Sequence, residues 1–179
     1  MPLPSPLLRL LAAALLLSCT AAWSDVLTEA QNLAAKGDLA GALRATEAAA
    51  AADPRDTQAR FLRAVVLMDL QRNAEALAAF TQLSQEFPEL PEPYNNIALL
   101  HVRAGHLELA RQALDTALRN DPGHRTARAN LGEVHLMLAV QAWEQAAATG
   151  PVDARLLRRL DAARALVASG ALPGAAPAR

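Results

Sequence analysis

Small and large apolar residues recur along the chain at helical spacing, and the whole pattern returns at a fixed interval. Two sets of alanines each repeat with the same constant spacing: Ala30, Ala64 and Ala98, then Ala42, Ala76 and Ala110. A bulkier side chain follows each alanine of the second set: Thr46, Phe80 and Leu114. Small side chains let two helices approach closely, and larger ones fill the space between neighbouring pairs. The pattern therefore predicts repeated helical hairpins.

Prolines and glycines mark the ends of these hairpins. Pro54, Pro88 and Pro122 are separated by the same interval as the alanines, and the proline ring cannot continue a preceding helix. Gly37 and Gly105 stand where the first helix of a pair should end in a left-handed conformation. We therefore predict two-helix units at about residues 25–56, 57–90 and 91–124.

A period of about 34 residues with two helices per unit resembles the tetratricopeptide repeat (TPR) family over roughly residues 25–151. The resemblance implies an all-α fold, a right-handed α-solenoid of antiparallel helix pairs with about 3.5 units. Its first helices would line a concave groove. The motif is a signature of fold and does not identify the partner.

The fourth unit, at about residues 125–151, departs from this period. Pro151 follows Pro122 sooner than the period requires, and nothing between Leu131 and Thr149 breaks a helix. We therefore predict that both helices are fused into one rod over Arg125–Thr149. The segment 153–169 has a plausible N-cap at its start and one apolar stripe, so we expect a capping helix. We expect the tail, residues 170–179, to be disordered.

The amino-terminal segment, residues 1–24, has the layout of a signal peptide. A short stretch with one arginine precedes the apolar run Leu10–Leu17, and small residues follow. This predicts export, removal of residues 1–24 and a periplasmic location. The alternatives are a lipoprotein acylated at Cys19, which is the only cysteine, or an uncleaved anchor. A lipid would be the only membrane attachment that we expect for a processed chain.

Composition and charge narrow the function. A net charge of −1 gives no basic footprint for nucleic acid, and the 3% aromatic content gives no stacking platform for bases. No phosphate loop, paired metal-binding histidines or nucleophile elbow is present in the sequence. We therefore predict no catalytic residue, no cofactor and no metal.

The resemblance also implies which side chains face the groove. The predicted peptide-binding residues are Phe61, Val65, Met68, Asn95, Asn96, Leu99, Arg103, Asn130 and Glu133. Asn96 and Asn130 stand at the same position of consecutive units, and their carboxamides could pair with both backbone groups of an extended peptide. The alternative is that these asparagines bond within or between helices.

His101 and His135 stand one repeat apart, both at the large core position. We expect buried core histidines rather than metal ligands, because no Cys, Asp or Glu shares their register.

These observations favour a protein-interaction adaptor of the bacterial cell envelope that binds a protein or an extended peptide. The alternative is a structural subunit, or a lipoprotein assembly factor, that uses its convex face or its long helix. A large apolar patch on the rod or on the capping helix would favour this alternative. The oligomeric state stays open.

Overall fold

The computed structural model describes residues 26–169, and every regular element in that range is an α-helix. The expected signal segment, the acylation candidate Cys19 and the expected disordered tail lie outside the described residues. The helices are α1 (26–35), α2 (Leu39–Ala52), α3 (Thr57–Asp69), α4 (Asn73–Glu86), α5 (Pro91–Arg103), α6 (Leu107–Asn120), α7 (Arg125–Thr149) and α8 (Ala154–Ser169). No strand occurs between residues 26 and 169.

The predicted rod and capping helix are both present. α7 runs for 25 residues without a break. One full repeat after the turn glycine Gly105, the equivalent position is Ala139, which lies within α7. Because alanine favours helix, the chain has no reason to turn there. At the start of α8, the Asp153 side chain accepts a hydrogen bond from the Leu156 N–H at 2.7 Å, which caps the helix.

The turns within the helix pairs share one backbone conformation. Gly37 and Gly105 have φ values of +83° and +75°, as predicted for residues that end a first helix. Gln71 stands midway between them at the same register and also has a positive φ of 60°. A side chain in this left-handed region costs roughly 1–2 kcal/mol, so the middle unit carries strain that its neighbours avoid.

The chain divides into two compact units at Ala76 and Leu77, within α4. In the first unit α2 packs on α3, and the small side chains Ala42, Ala59 and Ala64 are fully buried. Thr46 is buried with them because its hydroxyl donates within its own helix, to the carbonyl of Leu43 at 2.9 Å or of Ala42 at 3.0 Å.

In the second unit α5, α6, α7 and α8 pack in chain order. The core of this unit is a cluster of alanines with two larger side chains, namely Ala98, Ala110, Leu114, Ala117, Ala127 and Val134. Tyr94, Leu131 and Leu138 pack against it while half-buried. This core fixes α5 and α7, the first helices of two consecutive repeats, side by side.

Successive turns are also tied together within the second unit. The Asn120 side-chain amide donates to the Pro88 carbonyl at 2.6 Å, although the two residues are far apart in the sequence. The Asp121 side chain accepts from the Gly123 N–H at 2.8 Å and closes the turn that contains Pro122. These bonds satisfy polar groups at the ends of helices and hold the spacing between repeats.

Candidate functional site

Two predicted groove residues, Asn95 on α5 and Asn130 on α7, are bonded to each other. The Asn130 Nδ2 donates to the Asn95 Oδ1 at 2.9 Å, and both side chains are buried. The pair joins the first helices of two consecutive repeats. A carboxamide fits here because it offers donors and an acceptor on one short side chain.

The side-chain carbonyl of Asn130 has no partner. Among the described residues, the Asn130 Oδ1 is the one fully buried side-chain nitrogen or oxygen atom that lacks a hydrogen bond. An orphaned buried acceptor costs about 1–3 kcal/mol. The site therefore holds an unused acceptor between two repeats.

Asn96 has a different environment from Asn130, although the two stand at equivalent positions in the sequence. Its Nδ2 donates to the Glu92 carbonyl one turn back in α5, at 2.9 Å. The side chain is buried. The described contacts thus match the alternative in which these asparagines bond within and between helices, and their engagement by a peptide stays a prediction.

The other residues of the second unit that were predicted to line the groove differ in their exposure to solvent. Leu99 is buried, Glu133 is half-buried and Arg103 is exposed. Glu92, one turn before Asn96, is also exposed. A bound chain would therefore meet charged groups at the edge of the asparagine pair.

The predicted apolar stripe on α3, in the first unit, is only partly accessible. Met68 is 1% exposed and belongs to the core, whereas Phe61 and Val65 are half-buried. Two of the three side chains can therefore offer apolar surface to a ligand on α3.

The two repeated histidines do not form an equivalent pair. His101 is half-buried, and its burial, together with the nearby charge of His106, lowers its pKa. The rings of His101 and His106 lie 6.0 Å apart between centroids. His135 is exposed, so the prediction that it is buried is wrong, and His101 is only half-buried. The fused α7 does not turn back at this point, so no second helix of the same unit covers that side chain.

Residues 26–169 lack two features that would point to other functions. No group of three or more potential metal-binding side chains is present in this range. No helix there is both long and apolar enough to cross a membrane.

The repeated part of the chain matches two family models described as tetratricopeptide repeat. They cover residues 27–91 and 67–131, which together are more than half of the chain. The chain belongs to the TPR family. The relative YvcD of Bacillus subtilis, a TPR repeat-containing protein, is 36% identical over 69 residues. That match covers 38% of this chain and 14% of YvcD, so this TPR protein spans only a small part of that relative.

Solved structures agree on the TPR fold. The first TPR of Spaghetti (RPAP3), bound to the HSP90 peptide SRMEEVD, is 17% identical with a TM-score of 0.60 and covers 65% of this chain and 93% of that one. YrrB, a TPR protein with an unusual peptide-binding site, is 23% identical with a TM-score of 0.55, over 59% and 54% of the two chains. MamA is 19% identical with a TM-score of 0.57, over 82% and 85%. The predicted fold class, an α-solenoid of helix pairs, is confirmed.

The contact that the sequence did not predict is the pairing of Asn95 with Asn130. Their separation in the sequence is one residue longer than the repeat period. One feature of the sequence could have indicated this pairing: the third repeat has two adjacent asparagines, Asn95 and Asn96, and the fourth repeat has one that could bond to either. Which of the two meets Asn130 depends on how consecutive TPR units are offset.

Proposed function

We propose that this TPR chain is a protein-interaction module that binds an extended segment of another protein across α5 and α7. The observation that carries the proposal is the unpaired Oδ1 of Asn130, held where carboxamides of two consecutive repeats meet. A backbone N–H of a bound segment is the simplest donor for this atom.

The exchange of bonds is favourable on simple grounds. Because the Asn130 Oδ1 is shielded from solvent, the proposal requires the Asn130 side chain to turn away from Asn95 as a ligand enters. One carboxamide–carboxamide bond is then replaced by bonds from each asparagine to the ligand backbone, each worth about 1 kcal/mol net. Backbone pairing of this kind tolerates many ligand sequences, because every residue except proline offers the same N–H and C=O.

The surroundings add selectivity. Arg103 and Glu92 are exposed and Glu133 is half-buried, so both signs of charge flank the asparagines. Such rim charges mainly affect the association rate and the choice of partner. Phe61 and Val65 on α3 offer a separate apolar contact within the first unit.

Two of the similar TPR structures support a role in peptide binding, since one is bound to a peptide and the other is described by its peptide-binding site. We further propose that the chain acts in the cell envelope. This rests on the amino-terminal sequence alone: one arginine, the run Leu10–Leu17 and the small residues after it. Removal of residues 1–24 gives a periplasmic protein, and acylation of Cys19 would instead give a membrane-attached lipoprotein.

We also propose binding without catalysis. Glu75 and Glu108 are exposed, and they form ion pairs with Arg72 at 2.7 Å and Arg111 at 2.9 Å. The hydrogen bond from Arg72 lowers the pKa of Glu75. A general acid or base usually needs burial that moves its pKa toward neutrality, so these carboxylates are poorly placed for that chemistry.

The structural-subunit alternative has one observation in its favour. Leu157 and Leu166 on α8 are 44% and 60% exposed, so this helix presents large apolar side chains to solvent. Both side chains lie on α8, whereas the asparagine pair lies on α5 and α7, so the two roles can be tested separately.

The test uses nonapeptides selected from a displayed random library against the purified chain. Each selected peptide is compared with a version N-methylated at alternate amides, which removes backbone donors and keeps the side chains. The protein variant is Asn95→Leu with Asn130→Leu, which removes both carboxamides and leaves neither partner orphaned, so we expect little loss of stability. The control variant is Gln112→Leu, which changes an exposed side chain on α6, the second helix of the third repeat, whereas the asparagine pair lies on α5 and α7.

We expect affinity to fall about tenfold or more, or roughly 1.4 kcal/mol, on N-methylation and in the double variant. The control variant should bind like wild type. Peptides that bind the double variant as tightly as wild type would contradict the proposal.

A further inference from the structure

The last helix of the described residues, α8, carries two parallel stripes of side chains. The inner stripe is Leu156, Leu160, Ala163 and Val167, spaced by four, three and four residues. Leu160 and Ala163 are buried, and α8 packs on α7. The Arg164 Nη2 also pairs with the Glu144 Oε1 across the two helices at 2.8 Å.

The outer stripe has the same spacing, shifted by one residue: Arg155, Arg159, Ala162 and Leu166. All four are exposed, and Leu166 is the most exposed large apolar side chain among the described residues, at 60%. A terminal helix normally solvates a repeat array with a polar outer face. The apolar members of the outer stripe, Ala162 and Leu166, are one turn apart, and a further helix could pack on them with Arg155 and Arg159 on the same face.

The charge of this surface is strongly one-sided. α8 contains four arginines and one acidic residue, Asp161. Arg164 already pairs with Glu144 and Asp161. No hydrogen bond or ion pair within residues 26–169 involves the side chains of Arg155, Arg158 or Arg159. Arg155, Arg158 and Arg159 therefore have no ion-pair partner among the described residues, and they share α8 with the exposed Leu166.

We propose that the outer stripe of α8 binds an amphipathic acidic helix of a partner protein. Carboxylates of that helix would meet Arg155 and Arg159, and its small or apolar residues would meet Ala162 and Leu166. Guanidinium–carboxylate pairs are planar and can be bidentate, which would fix the register of the partner. The proposal does not depend on peptide binding by the asparagines.

A lipid surface fits this geometry less well. Leu157 and Leu166 are nine positions apart in the sequence, which places them about 180° apart around a helix with about 3.6 residues per turn. A flat bilayer cannot take up both leucines at once, whereas a helix laid along one flank of α8 covers Leu166 alone.

A second copy of the chain also fits less well. Two outer stripes packed against each other would bury Arg155 and Arg159 of both copies without a carboxylate, because the stripe contains none. Burying unpaired charge is strongly unfavourable.

The test uses two synthetic helices as probes, each of about 21 residues so that it is helical in water. One has glutamates and leucines on a single face at 4-3-4 spacing, and the matched probe has lysine at every glutamate position. Binding to the purified chain is followed by fluorescence anisotropy. The stripe variant is Arg159→Gln with Leu166→Gln, and the control variant is Leu157→Gln on the opposite flank.

We expect the glutamate helix to bind at least about tenfold more tightly than the lysine helix, and the stripe variant to lose about tenfold or more. The control should bind like wild type, and equal melting temperatures would show that both variants fold. Equal affinity for the two probes, or equal loss in the stripe and control variants, would overturn the proposal. So would a probe that fails to bind while vesicles of anionic phospholipid do, or a stripe variant whose main effect is on self-association.

Discussion

The bond between Asn95 and Asn130 predicts an asymmetric effect on stability when either residue is replaced by leucine. Asn130→Leu loses one hydrogen bond, worth about 1 kcal/mol, and orphans the Asn95 Oδ1. It also removes the Oδ1 that is already unpaired in wild type. The newly unpaired Asn95 Oδ1 and the removed Asn130 Oδ1 have effects of similar size and opposite sign, so only the lost bond counts. We therefore expect the free energy of unfolding to fall by about 1 kcal/mol.

Asn95→Leu should be more damaging. It loses the same bond and leaves both the Nδ2 and the Oδ1 of Asn130 buried without partners. The lost bond costs about 1 kcal/mol and the newly unpaired Nδ2 costs about 1–3 kcal/mol, so the free energy of unfolding should fall by roughly 2–4 kcal/mol. The double variant has no orphan left at this point, so its unfolding free energy should lie within about 1 kcal/mol of wild type.

Urea unfolding of the four proteins, followed by circular dichroism, measures this cycle. The coupling between the two sites should amount to about 2 kcal/mol or more, well above the few tenths expected for independent sites. Additive effects, or a larger loss for Asn130→Leu than for Asn95→Leu, would refute the account of this pair.

Three further outcomes follow from other parts of the chain. Gln71→Gly should stabilise the chain by about 1 kcal/mol, because glycine adopts the positive φ of this position without strain. Gly105→Ala should destabilise the chain by a similar amount. Melting temperatures that shift in the same direction for both variants would contradict this. Open space around a Cβ at Gly105 makes that cost one of backbone alone. Because the pKa of His101 is lowered, the neutral form favours folding, so this stabilisation is complete above about pH 6.5 and is lost as pH falls through the lowered value. His101→Phe should therefore flatten the pH dependence of the melting temperature below about pH 6.5, and His106→Gln should reduce it in part; unchanged profiles would count against this. Mass spectrometry of the exported chain should show an N-terminus after residue 24, and an acylated Cys19 would support the lipoprotein alternative instead.

The helices could be predicted because their ends depend on local chemistry. The repeat period placed the turns, and the absence of a helix breaker in the fourth unit predicted α7 with the bounds that it has, Arg125–Thr149. The cap at Asp153 and the end of α8 at Ser169 followed from short-range signals of the same kind.

The residues whose environment was not predicted correctly are those whose burial or bonding depends on contacts between helices. His135 occupies a core position by register, yet it is exposed because the fused α7 has no returning helix to cover it. Met68 lies on a stripe expected to face a ligand, but it is buried. Adjacent positions such as Asn95 and Asn96 lie only about 100° apart on a helix, so a small offset between repeats decides which one crosses to Asn130.

The central claim is that another chain lies across α5 and α7 and bonds to their asparagines. The most direct measurement is NMR of the isotope-labelled chain with a selected nonapeptide, following the side-chain amides of Asn95, Asn96 and Asn130. The account predicts cross-peaks between the Asn130 amide protons and backbone protons of the peptide. Saturating peptide that leaves all three side-chain amides unshifted, while resonances of α6 or α8 move, would contradict it.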